Sequence, residues 1–341
     1  MGETFKSVIL IGILDSSENS SIPSTAHKSE AKPIEIVGQH DIYSVAFFVD
    51  GKHFVSGGEE GKVRRWRVED GKEAEAPIDA GSEVSNITVS GDGKWVVSGV
   101  DSGELTVWDA VSQKKVTGWQ AHNGWVGAVD ISPDETRIAT GSGDSTACVW
   151  SLSTGQRLLG PWTHHDAVVT VKFSPDARLV ATATRCSSVR VYDTGCQAGR
   201  LPIVDIPIWV ADTFNQSLVW VSNSQNLFAL SLDGKINCLD VSTGTTLSSW
   251  TIHGNEPSPP RCIALASNDT IIATSAGSSV SLWDTTTHKQ IGSIINHTEH
   301  VLSMAISASY DLVIGGGKAI TVLNIRDVLP SSYYEDVSAL A

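Results

Sequence analysis

Trp66, Trp108, Trp150 and Tyr192 stand 42 residues apart, three intervals in succession, each inside a short apolar run. The runs read "VRRWR", "LTVWD", "ACVWS" and "VRVYD". The series continues with "INCLD" at Leu239, "VSLWD" at Trp283 and "ITVLN" at Leu323, at intervals of 47, 44 and 40. A period of this length marks one supersecondary unit copied along the chain, each copy burying its apolar face against its neighbours. Seven copies are present.

Within a copy the punctuation is constant. An apolar strand such as "SVAFF", "AVDIS" or "TVKFS" runs into a turn, "VDGK", "SPDE" or "SPDA". The Pro, Asp and Gly of these turns are type I turn chemistry. A second strand follows ("HFVSGG", "WVVSGV", "RIATGS", "LVATAT", "IIATSA"), then a tight polar turn and the strand holding the aromatic. A last turn, "VEDGK", "LSTGQ" or "VSTGT", leads to a fourth strand. Four short strands at this period predict an all-β chain, a seven-bladed β-propeller of four-stranded antiparallel blades.

Over Pro33 to Arg326 the chain resembles the WD-repeat propellers. Trp108-Asp109 and Trp283-Asp284 keep the dipeptide that gives the family its name, whereas Trp66-Arg67, Trp150-Ser151, Tyr192-Asp193, Leu239-Asp240 and Leu323-Asn324 depart from it. "KPIEIV" reads as an outer strand with no blade in front of it, and the last copy lacks one. Ile34 to Val37 are therefore expected to complete the seventh blade and close the ring, removing the exposed edges of a seam. The propeller is expected over residues 33–328, with 1–32 a flexible N-terminal tail and 329–341 a C-terminal tail.

Asp144 stands in "GSGDSTACVW", inside an otherwise apolar stretch where an unpaired carboxylate is costly. The resemblance implies a partner for it. The family carries a His, a Ser/Thr, an Asp and a Trp hydrogen-bonded in series within a blade, and His122, Thr140, Asp144 and Trp150 match all four by position. A His/Asp pair activating a hydroxyl nucleophile is the catalytic alternative; inside a repeat the arrangement serves the turn, and Asp144 reads as a strut. Elsewhere the series is broken. Blade 4 has His164 and Thr182 but Cys186 for the acid and Tyr192 for the tryptophan. Blade 7 has His297 and no acid, blade 5 has Asp233 with Asp212 at the histidine position, blade 1 has Glu60 and Gly38, and blade 2 has Ser102 and Ala80. Blade 3 is expected to be the most rigid and blades 5 to 7 the least regular. Pro202 and Pro207 are expected to interrupt the outer strand before blade 5, and "HGNEPSPPRC", 253–262, to form a loop between blades 5 and 6.

Composition narrows the partners. The formal net charge of -14 repels phosphate backbones, so direct nucleic-acid binding is not expected. Five cysteines (Cys148, Cys186, Cys196, Cys238, Cys262), widely spaced and without a CxxC pair, suit reduced thiols and a cytoplasmic or nuclear location. "SVILIGIL" is followed by Asp15 rather than a small-residue cleavage site, and no run reaches transmembrane length, so neither export nor a membrane is expected. No phosphate loop or metal-ligand cluster stands out; His164 and His165, adjacent on a strand, point to opposite faces. No cofactor and no metal are expected.

Function then falls to the faces and the channel of the ring. The family's common binding face uses residues at the start of the innermost strand and beside the turn between the second and third strands. Position by position, these are Asp41, Tyr43 and Glu59 in blade 1, Glu83 and Asp101 in blade 2, Trp125 in blade 3, and Arg185 in blade 4. Blades 5 to 7 add Asn215, Arg261, His300 and Leu302. Blades 1 and 2 would form an acidic arc facing Arg185 and Arg261, suited to a Lys/Arg-containing peptide with an exposed Trp125 as anchor. The leading expectation is a monomeric, non-enzymatic scaffold that binds a protein or peptide partner. A ligand- or glycan-binding propeller would need tryptophans in equivalent pockets between blades, and an enzyme would need Asp41, Glu83 and His300 to converge in the channel.

Overall fold

Short apolar runs buried on both faces set the strands: in Val126–Ile131 the residues Val126, Ala128, Val129 and Ile131 are buried, and Ile138–Ser142 and Ala147–Trp150 are buried throughout. A computed structural model describes residues 32–185, 188–195, 204–207, 217–231, 233–252, 260–330 and 333. These residues form seven four-stranded antiparallel sheets. Blade 1 is Ile42–Phe47, His53–Gly58, Lys62–Arg67 and Ile78–Asp79; blade 2 is Val84–Val89, Trp95–Val100, Glu104–Asp109 and Lys115–Gln120. Blade 3 is Val126–Ile131, Arg137–Ser142, Thr146–Ser151 and Arg157–Thr163; blade 4 is Val168–Phe173, Leu179–Thr184, Ser188–Asp193 and Val204–Pro207. Blade 5 is Ser217–Trp220, Asn226–Leu230, Lys235–Asp240 and Thr245–Thr251; blade 6 is Pro260–Leu265, Ile271–Ala276, Ser279–Asp284 and Gln290–Asn296. Blade 7 takes Ser303–Ile306, Asp311–Gly316 and Ala319–Asn324, and its outer strand is Ile34–Val37, paired antiparallel from Ile34 opposite Val322 to Val37 opposite Ala319.

The turns carry their own fasteners. Between the first two strands of blade 3, Ser132 Oγ donates to Asp134 Oδ1 (2.6 Å), which also accepts from Thr136 N–H (3.0 Å). Ser90 with Asp92 and Ser174 with Asp176 repeat the motif. The aspartate after the aromatic fastens the next turn: Asp109 Oδ1 accepts from Ser112 N–H (2.6 Å), and Asp284 Oδ1 from Thr287 N–H (2.5 Å). Each carboxylate satisfies backbone donors that the turn leaves unpaired.

Blades pack at glycines. A methyl group at Gly141 would stand 2.6 Å from Val168 Cγ1 of blade 4, and the same contact recurs between Gly57 and Val84. Val84 and Val168 are fully buried at these junctions.

Several boundaries differ from expectation. Pro207 does not interrupt the outer strand of blade 4; it ends it, opposite Ser188. Irregularity is not confined to blades 5 to 7, because the outer strand of blade 1 is two residues long. Beyond residue 328, Leu329 is buried in the core between blades 6 and 7, and Tyr333 Oη donates to Asp284 Oδ2 (2.8 Å), so these two residues are part of the propeller rather than a tail. The chain reaches them through a 3-10 turn at Ile325–Asp327. Residues 1–31, Cys186, Cys196, Pro202, Asp212 and most of the 253–262 loop lie outside the described residues. Cys148, Cys238 and Cys262 are free and buried.

Gly141→Ala should lower the unfolding free energy by about 1–3 kcal/mol, the usual cost of overpacking. Urea titration measures it, and adding Val168→Ala should recover part of the loss. An unchanged midpoint for the single variant would contradict the tight blade contact.

Candidate functional site

A β-bulge in the innermost strands decides which side chains reach the channel. Ile42 pairs with Gly58 and Ser44 with Gly57, which leaves Tyr43 as the extra residue. The same shift leaves out Ser85 in blade 2, Gly127 in blade 3 and Val169 in blade 4, and in blade 6 it falls between Pro260 and Ile263 and so includes Arg261. Bulges re-aim side chains, and all of these residues line a central channel of about 460 Å³.

Around the mouth, one backbone hydrogen bond recurs and defines the face. Glu59 N–H donates to Asp41 O, Asp101 N–H to Glu83 O, Gly143 N–H to Trp125 O and Arg185 N–H to Ala167 O, each at 2.9 Å. The start of the inner strand is thus tied to the turn between the second and third strands. Read blade by blade, the ring carries Asp41/Glu59, Glu83/Asp101, Trp125/Gly143 and Ala167/Arg185. Tyr43 sits among the first four. Burial and then the negative charges of Glu83, Glu59, Asp41 and Asp101 raise its phenol above the ordinary value.

Trp125 differs from expectation. It is half-buried rather than an exposed anchor. A Cβ at Gly127 or at Gly143 would collide with its indole, so the ring lies in space that two glycines vacate. Arg185 of blade 4 places its guanidinium 5.9 Å from the ring centroid, within cation–π range. Arg261 and Leu302 line the channel with Tyr43 and Trp125. His300 is exposed and, like Asp41 and Glu83, is not among the lining residues, so the three do not converge in the channel. Asn215 lies outside the described residues. Lys172 lines the channel as well, paired with Asp130 at 2.9 Å.

The blade 3 series runs from Trp150 to Asp144. Trp150 Nε1 donates to Thr140 Oγ1 (2.8 Å), and Thr140 lies 2.7 Å from His122 Nε2. His122 Nδ1 lies 3.2 Å from Asp144 Oδ2, which also accepts from Asn123 N–H (3.0 Å). Since Asp144 only accepts, the network assigns the ring proton to Nδ1 and makes Nε2 the acceptor of the threonine hydroxyl. Burial lowers the His122 pKa despite the attraction of Asp144, so the ring is neutral. At Asp144 burial works upward, but hydrogen bonds from Thr146 and Asn123 outweigh it and hold the carboxyl below its ordinary value. Thr140 is fully buried, which removes it as a nucleophile for any dissolved substrate.

Blade 4 solves the same problem without an acid. His164 Nδ1 donates to Trp162 O (3.0 Å), Nε2 faces Thr182 Oγ1 (2.9 Å), and Tyr192 stacks on Trp162 with centroids 4.1 Å apart. His165, its neighbour, is exposed. In blade 7, His297 Nδ1 meets Thr321 Oγ1 (2.8 Å).

The model of the WD domain, G-beta repeat, matches residues 31–67, 78–109, 113–151 and 156–193. The four matched stretches are WD repeats, and the seven-bladed β-propeller already described is consistent with the WD-repeat family. Each matched stretch holds the outer strand of one blade and the three inner strands of the next, from Ile34–Val37 of blade 7 to Ser188–Asp193 of blade 4; the remaining strands follow from geometry. No curated protein matches the chain significantly. Propellers of the WD-repeat family generally serve as protein-interaction scaffolds. Among the described residues, no helix is long and apolar enough to cross a membrane, and no group of three or more His, Cys, Asp or Glu is placed to hold a metal ion.

The indole–hydroxyl half of the series is wider than sequence reading found. Trp66 Nε1 donates to Ser56 Oγ (2.8 Å), Trp108 Nε1 to Ser98 Oγ (2.9 Å) and Trp283 Nε1 to Thr274 Oγ1 (2.9 Å). A Ser or Thr nine or ten residues before the aromatic is the signal that would have revealed them. Of the tryptophans, Trp66, Trp108, Trp150 and Trp283 are on third strands, while Trp119, Trp162 and Trp250 are on outer strands. Trp119 and Trp162, at equivalent positions, pack across a blade junction on Trp150 and Tyr192 of the next blade, whereas Trp250 packs on Phe228 of its own blade and stacks on His288.

Thr140→Val should destabilise the propeller by about 1–3 kcal/mol, because it strands the Trp150 N–H and removes the donor to His122; thermal unfolding beside Ser98→Ala, which strands the indole alone, should give the larger loss for Thr140→Val. A pH dependence follows from His164, whose pKa burial lowers from 6.5 to about 4. Between those values the unfolded chain binds a proton that the folded chain refuses, so stability falls as pH falls from 6.5 towards 4. The slope from this one group is about 1.4 kcal/mol per pH unit. His164→Gln should unfold more easily at neutral pH yet show a flatter stability–pH curve across that window, measured by urea titration.

Proposed function

We propose that the face carrying Asp41, Glu59, Glu83, Asp101 and Trp125 binds a protein segment bearing Lys or Arg side chains. The observation that supports this reading is the gathering of four carboxylates around Tyr43 at the channel mouth. A cationic side chain entering there meets several negative charges and an aromatic ring at once. Trp125, fixed on Gly127 and Gly143, supplies a rigid aromatic wall. Arg185 and Arg261 on the far side of the ring would take main-chain carbonyls or an acidic residue of the same segment, which fixes its direction. The protein acts here as a monomeric, non-enzymatic scaffold in the cytoplasm or nucleus, and phosphate backbones are disfavoured by the same negative arc.

A library of Lys/Arg-containing peptides tests the reading. The tightest binder should lose at least about tenfold in affinity with Glu83→Lys/Asp101→Lys, which is about 1.4 kcal/mol, and should weaken with salt. Trp125→Ala/Arg261→Ala should lose the same partners in affinity capture. Equal binding by the charge-reversed variant would remove the face from consideration.

A further inference from the structure

Blade 1 repeats the blade 3 series with one member missing. Shifted by 84 residues, Thr140, Asp144 and Trp150 become Ser56, Glu60 and Trp66, and His122 becomes Gly38. The backbone at the two positions is alike: Gly38 N–H donates to Lys318 O (2.6 Å) as His122 N–H donates to Gly103 O (3.2 Å). Trp66 Nε1 holds Ser56 Oγ at 2.8 Å, the counterpart of Trp150 on Thr140. Beside these residues blade 1 has a cavity of about 260 Å³ lined by Gly38, Ser56, Glu60, Arg64 and Trp66, with Lys318 of blade 7 at its wall.

The walls say what would fill it. Ser56 is 1% exposed, and its hydroxyl hydrogen has no acceptor among the described residues. In blade 3 the equivalent hydroxyl faces imidazole Nε2 at 2.7 Å. The Glu60 carboxylate is already met by Lys62 (2.8 Å) and Arg64 (2.7 Å), so its charge is compensated while it keeps acceptor capacity. A cationic guest would compete with Lys62 and Arg64, and an anionic one would face Glu60. A flat neutral ring with one acceptor nitrogen and one N–H fits, as the His122 ring stands edge-on to Trp150 with centroids 6.3 Å apart.

We propose that this seam pocket binds a neutral imidazole ring, free or as the histidine side chain of a protein partner, its acceptor nitrogen on the Ser56 hydroxyl and its N–H on Glu60. The site is separate from the acidic arc and stands or falls independently of the peptide-binding reading.

The test is titration with imidazole and with N-acetylhistidine amide above the pKa of each ring, followed by the Trp66 Nε1–H resonance and by saturation-transfer NMR. The expected result is a saturable shift of the Trp66 signal, with the other indole signals unmoved. Gly38→His should supply the ring from the chain itself, since a Cβ there meets nothing closer than Lys318 O at 3.5 Å. That variant should abolish binding and raise the melting temperature. Ser56→Ala should weaken binding at least about tenfold and decides the matter if Gly38→His does not fold. Binding of the amide assigns a partner's side chain, and binding of imidazole alone assigns a small molecule. No saturable shift with either ligand, or binding that persists in folded Gly38→His, overturns the proposal.

Discussion

Each innermost strand of the ring has one edge without a neighbouring strand, and the backbone donors along that edge need partners. A polar side chain of one inner strand accepts from a backbone N–H of the next blade: Ser44 from Ile87, Asn86 from Val129, Asp130 from Phe173 and Ser217 from Ile263. Ser303 of blade 7 accepts from Val45 of blade 1 at 3.1 Å, so the same link spans the seam. These bonds fix how far one blade is rotated from the next. They also explain why the glycine–valine contacts can be so close, since a small error in rotation would open or overfill them.

The bulges of the inner strands compose the channel. Because their extra residues point inward, the channel's character is written at positions 43, 85, 127 and 169, which are Tyr, Ser, Gly and Val. Gly127 is the informative member. With no side chain of its own there, blade 3 lends the space to Trp125 from two residues earlier, and Gly143 clears the other side of the indole. A residue type that contributes nothing by itself thereby determines the orientation of the largest side chain on the face.

Spacing made much of this legible. The 42-residue interval, the turn chemistry and the dipeptide located the blades, and the His122 to Trp150 series could be followed because its members keep fixed offsets within one copy. What escaped reading depends on register between strands or on a residue that is absent. The inward aim of Tyr43 and Arg261 requires knowing that a residue is skipped in the ladder. The placement of Trp125 requires asking what a glycine makes room for. The two-residue outer strand of blade 1 follows from Pro77, which has no N–H for the ladder, and from Arg64 and Arg65 reaching out to Glu73 and Glu75. Leu329 and Tyr333 lie past the last repeat, so periodicity had no purchase on them.

The comparison of blades 3, 4 and 1 separates two jobs that the four-residue series performs. Tying the third-strand aromatic to the second strand needs only a hydroxyl, and blades 1, 2 and 6 do it with Ser56, Ser98 and Thr274. Tying the loop from the previous blade needs the imidazole, which in blade 3 is oriented by a carboxylate and in blade 4 by the Trp162 carbonyl. An imidazole can be oriented by either because both act as acceptors for Nδ1–H. The acid is therefore dispensable where a carbonyl is in reach. Blade 4 packs its ring without the acid, whereas blade 1, with an acid and no ring, has the cavity beside Ser56.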